Sequence, residues 1–120
     1  MKLSEAIEIA DRRTPNGYDT PDKVRWLLML DQEIYNELIL TREDSDGVTL
    51  PEGEDDALLV PEPYAEDVYV NFLQARIAKE NGENVKYNQA ISLYNEGYLR
   101  YARYYCERHG QKRRCDFIRW

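Results

Sequence analysis

The sequence predicts an all-α fold: a small bundle of about four helices, with a long acidic loop between the second and the third. Three observations carry that prediction. Apolar residues recur at helical spacing in four separate stretches. Start and stop signals bracket those stretches. The longest interval without helical periodicity, from about residue 41 to residue 60, is rich in acids, glycine and proline. At 120 residues the chain reads as one domain. Residues 1–110 are expected to form the helical body and residues 111–120 a basic tail.

The first helix is expected from about Leu3 to Arg12, with Ser4 as a cap and a narrow apolar stripe of Leu3, Ala6, Ile7 and Ala10. Pro15, Asn16 and Gly17 end it in a turn. The second has the clearest start: Thr20 at the N-cap, Pro21 at the first helical position and Asp22 at the positive end of the helix dipole. Its apolar surface (Val24, Trp26 to Leu30, Ile34, Tyr35, Leu38, Ile39) is wider than one stripe, which predicts a central helix or one covered on two sides, ending near Thr41.

In the connection that follows, Asp46-Gly47 and Glu52-Gly53 are turn signals, while Val48–Leu50 and Leu58–Val60 leave room for a short β-hairpin. A loop of this length is uncommon in a compact domain and favours a functional or partner-ordered role. Pro61 and Pro63 introduce a third helix over about Tyr64 to Glu80, stopped by Asn81-Gly82. A fourth and longest helix starts near Glu83 and ends at Gly110. Along it Tyr87, Ile91, Tyr94, Tyr98, Tyr101 and Tyr105 form a heptad-like seam, whose simplest reading is a core stripe with wet hydroxyls.

Charge is distributed more tellingly than the net −7 suggests. Ten acids stand between Thr41 and Asp67 against Arg42 alone, whereas seven basic residues stand between Arg100 and Trp120 against Glu107 and Asp116. The chain is therefore a charge dipole along its sequence. Met1 to Ala10 alternates apolar and charged residues, unlike a signal peptide, and the apolar run near Trp26–Leu30 is too short to cross a bilayer. A soluble protein made in the cytoplasm, with no membrane partner, is expected.

Little in the sequence points to catalysis. Ser4, Ser45 and Ser92 lie in no nucleophile-elbow context, His109 is the sole histidine, and there is no glycine-rich phosphate loop. The carboxylates Asp55 and Asp56 sit in the loop, where nothing desolvates them. Asp44, Asp46, Gly47 and Glu52 do not follow the EF-hand order of calcium ligands. Cys106, His109 and Cys115 supply three candidate zinc ligands where a structural site takes four, and two cysteines in a cytoplasmic chain read as free thiols. The basic end, with Tyr104, Tyr105, Phe117 and Trp120, has the composition for nucleic-acid contact, against which stands the acidity of the whole. No enzyme activity, cofactor or metal is expected.

Three stretches together carry a family resemblance. The first is Arg12-Arg13-Thr14-Pro15-Asn16-Gly17-Tyr18, followed by Lys23-Val24-Arg25-Trp26-Leu27 and Leu30-Asp31-Gln32-Glu33-Ile34-Tyr35. The second is Leu58-Leu59-Val60-Pro61-Glu62-Pro63-Tyr64, with Tyr69 soon after. The third is Asn81-Gly82-Glu83, then Tyr87-Asn88 and Leu93-Tyr94-Asn95. This layout, up to about Tyr105, resembles the head–tail connector (adaptor or head-completion) proteins of phages and prophages of Gram-positive bacteria.

The resemblance implies a virion structural protein in the neck, made in the host cytoplasm. It implies a homo-oligomeric ring, typically dodecameric, between the portal protein and other neck or tail proteins. DNA would pass only as non-specific channel content, and no cofactor is implied. The contact surfaces expected on this chain are Trp26 and Tyr35 on the second helix; Asp44, Asp46, Glu54, Asp55 and Asp56 in the acidic loop; and Arg108, Lys112, Arg113, Arg114 and Trp120 at the basic end. A second reading, motivated by the charge asymmetry, is a phage-encoded module that binds a host protein.

Overall fold

The computed structural model describes residues 1–42 and 47–109. Helix α1 spans Leu3–Arg13, α2 Thr20–Ile34, α3 Asn71–Asn81 and α4 Asn84–Arg108. Two wide π-helical turns extend these elements, Tyr35–Ile39 after α2 and Glu66–Val70 before α3. The result is the predicted small helical bundle, with no named strand among the described residues.

Helix α3 and its preceding turn form the centre, touching α1, α2 and α4. Val68, Tyr69, Val70, Leu73 and Ile77 are all fully buried there. Leu3, Ala6, Ile7 and Ala10 supply the inner face of α1, and Trp26, Leu27, Leu30 and Ile34 that of α2. Met29 is 57% exposed, so α2 is covered on one broad side and open on another. On α4 the tyrosine seam packs inward over its C-terminal half. Tyr101 and Tyr105 are buried, Tyr64 lies against Tyr101 and Tyr104, and Tyr94 packs on Phe72 and stacks on Tyr98.

Several boundaries differ from expectation, each for a local reason. Lys2, not Ser4, occupies the N-cap of α1, and the N–H groups of Leu3 and Ser4, which have no acceptor within the helix, go to the carbonyls of Asp56 (3.1 Å) and Glu54 (3.0 Å). Asp19 replaces Thr20 at the N-cap of α2, and its carbonyl accepts from Asp22 (3.1 Å) and Lys23 (3.4 Å). Gly110 lies outside the described residues, and α4 stops at Arg108 with His109 extended. Gly82 ends α3 in the left-handed region (φ 73°), as the Asn-Gly signal requires.

The hairpin does not form among the described residues. Leu58–Val60 offers three consecutive N–H donors, and none goes to Val48–Leu50. Leu58 donates to the Met1 carbonyl (2.9 Å), Leu59 to the Asp31 carboxylate (2.9 Å) and Val60 to the Tyr69 hydroxyl (2.8 Å). An isolated antiparallel bridge joins Lys2 to Ala57.

Candidate functional site

The connection between the second and third helices is held at two anchorages. At the first it crosses the N-terminus of α1 through the Asp56 and Glu54 carbonyls. The Asp56 carboxylate folds back to accept from the N–H groups of Glu52 (2.8 Å) and Gly53 (3.1 Å), which shapes the turn. Glu54 and Asp55 are left exposed, without an ion pair among the described residues.

The second anchorage is buried. Asp31, on the inner face of α2, accepts from the Tyr69 hydroxyl at 2.5 Å and from the Leu59 N–H. The same hydroxyl accepts from Val60. Asp31 is 1% exposed and Tyr69 0%. Burial raises the Asp31 carboxyl to about 6, although the bonds from Tyr69 and Leu59 pull it down. Burial, reinforced by the Asp31 charge, holds the Tyr69 phenol far above its ordinary range. Both groups are shut off from solvent, so their action falls on the fold and not on a diffusing ligand.

The C-terminal end of α4 presents a cationic, aromatic surface beside that connection. Arg108 lies 4.6 Å over the Tyr104 ring. Ile39, Val48, Leu59, Pro61, Tyr104 and Arg108 are among the walls of a groove of about 290 Å³. Arg103 is exposed nearby in sequence and makes no ion pair among the described residues.

The structure distributes the predicted contact residues unevenly. Trp26 belongs to the core at 7% exposure. It lies beneath the Arg76 guanidinium (5.0 Å) and beside Tyr18 (6.1 Å), and its remaining edge joins Met29, Leu30 and Phe72 in a groove of about 490 Å³. Tyr35 is half-buried against the core. Glu54, Asp55 and Asp56 lie together on the loop, of which Asp56 is committed to the turn. Arg108 is exposed. Asp44, Asp46, Lys112, Arg113, Arg114 and Trp120 lie outside the described residues, as does Cys115. Cys106 is a free thiol, and no cluster of three or more metal-ligating side chains occurs among the described residues. No described helix is long and apolar enough to cross a membrane.

Sequence reasoning passed over the polar groups that organise the interior. Lys23, 3% exposed, donates to Asp11 at 2.6 Å, tying α2 to α1. Asn16 bonds Asp11 (3.0 Å), the Thr14 carbonyl (2.9 Å) and the Tyr18 N–H (3.1 Å), which fixes the α1–α2 turn. The signal was periodicity: Lys23 and Asp31 fall on the same helical face as Leu27, Leu30 and Ile34, where an ionisable residue must find partners.

Comparisons with family models, with characterised proteins and with solved structures yield no match to this chain.

Proposed function

We propose that the chain is a structural subunit of a tailed phage, a head–tail connector or adaptor that forms a ring between portal and tail. The observation that supports this reading is two sets of exposed, unlike charges on one small bundle. Glu54 and Asp55 stand on a loop secured to α1, while Arg103 and Arg108 stand toward the end of α4. A cyclic ring repeats a head-to-tail contact, and each contact joins two different surfaces of the subunit. The resemblance carried by the turn after α1, the Leu58–Tyr64 stretch and the start of α4 points the same way and names the neighbours: further copies of this chain in a dodecamer, the portal protein and the next neck or tail protein. An acidic rim on such a ring would repel DNA phosphates and let DNA pass without adhesion.

Cryo-electron microscopy of the native virion, with mass spectrometry of its components, tests the reading. A stoichiometric ring of this chain in the neck is expected, and absence from purified virions overturns it. Recovery from infected cells of a stoichiometric host protein, without portal, would favour the host-binding reading instead.

A further inference from the structure

We propose that Asp31 and Tyr69 form a proton-linked latch: closing the Leu58–Val60 segment onto α2 and the turn before α3 takes up a proton on Asp31, so mild acid tightens the hold on the acidic loop.

Burial sets the direction: Asp31 is 1% exposed, and the hydrogen bonds it accepts favour its charged form without outweighing that burial. Asp31 is closed off by the segment it holds, since one carboxylate oxygen accepts from Leu59 and the other from Tyr69, whose hydroxyl accepts from Val60. No ion pair reaches it among the described residues; Lys23, two turns earlier on α2, is engaged by Asp11. The titratable groups around it are phenols: Tyr69 from the turn before α3, and Tyr94 and Tyr101 from α4, both of which sense its charge. Beyond them Glu33 and Glu37 of the second helix and its π turn bear on Tyr94. Among the described residues, these groups around Asp31 are thus all neutral or negative at neutral pH. Two donated hydrogen bonds do not offset removing a carboxylate from water without a counter-charge. The closed latch holds its proton up to about pH 6, whereas a hydrated aspartate releases it near 3.8. Opening the segment hydrates Asp31, so opening is coupled to proton loss.

Amide hydrogen exchange on the full chain reads this directly. Protection factors, corrected for the intrinsic pH dependence of exchange, report the opening equilibrium. From about pH 7.5 to about pH 5, protection of the Leu59 and Val60 amides is expected to rise about tenfold, while Asp31→Asn shows no such rise. Equal pH responses in the two chains, or protection that falls on acidification of the native chain, would overturn the latch. Carbon-13 titration of the Asp31 carboxyl in the native chain gives a second readout should the variant fail to fold. A midpoint near 6 supports the proposal, and one at the ordinary 3.8 overturns it. Both measurements use the isolated chain, so the result is independent of ring assembly.

Discussion

Asp31 makes folding stability depend on pH in the direction opposite to that of a salt-bridged carboxylate. Its folded pKa, about 6, stands above the ordinary 3.8, so between these values the folded chain holds a proton that the unfolded chain has released. The stability linked to this group is fully present below about pH 4 and is lost as pH rises through 6. Its size is about 3 kcal/mol for a group so thoroughly buried. Urea unfolding of the native chain and Asp31→Asn across that window should show the difference between them shifting by this amount in favour of the native chain at the acid end. Gly97 gives a second test at this scale. A Cβ there would meet the Asp67 Cβ at 3.0 Å and its carbonyl carbon at 3.3 Å. An alanine gains about 1 kcal/mol of helix propensity, but overpacking against the turn before α3 costs about 1–3 kcal/mol. Gly97→Ala should therefore lower the thermal midpoint, and Gly97→Leu should lower it further. Both sites were half legible. An aspartate among leucines on α2 announces a buried partner, yet nothing in the spacing names Tyr69, which lies 38 positions away. Gly97 reads from sequence only as a weak point in a helix, because close approach is a property of the packed pair.

The helices themselves were legible, since apolar periodicity and the signals Thr20-Pro21 and Asn81-Gly82 are local. Where the structure departs from that reading, distant groups capture local donors. The loop carbonyls cap α1, and Met1, Asp31 and Tyr69 each take one donor from Leu58–Val60, leaving no ladder for a hairpin. The π-helical turns are a further departure. After α2, the N–H of Leu40 reaches back five residues to the Tyr35 carbonyl at 2.8 Å. Before α3, the Asn71 side chain donates to the Asp67 carbonyl, four residues back in the widened turn, at 2.7 Å. Asn71→Ala removes that donor and should cost about 1 kcal/mol by denaturant titration. The same turn carries Glu66 and Asp67, paired with Arg13 and Arg100, so its geometry also decides where α1 and α4 find counter-charges.

On the scale of the whole molecule, those pairings redraw the charge dipole of the sequence. Two of the acids between Thr41 and Asp67 are neutralised within the chain, and Asp56 is committed to shaping its own loop. Among the described residues of that segment, Glu52, Glu54, Asp55 and Glu62 are exposed acids without an ion pair; Glu54 and Asp55 stand adjacent on the loop, and Arg103 and Arg108 are exposed cations on α4. If the chain is the proposed ring subunit and its copies meet through these charges, assembly on the portal is electrostatically steered and weakens with salt, because exposed charges beyond about 10 Å are screened at about 0.1 M ionic strength. Reversing one side alone, by Arg103→Glu with Arg108→Glu or by Glu54→Arg with Asp55→Arg, places like charges together and should abolish incorporation into portal-bound rings in sedimentation velocity. Combining the two reversals restores opposite charges across each contact and should recover assembly. Failure of the combined variant, with its helical circular dichroism and thermal midpoint intact, would show that the contact between copies lies on another face.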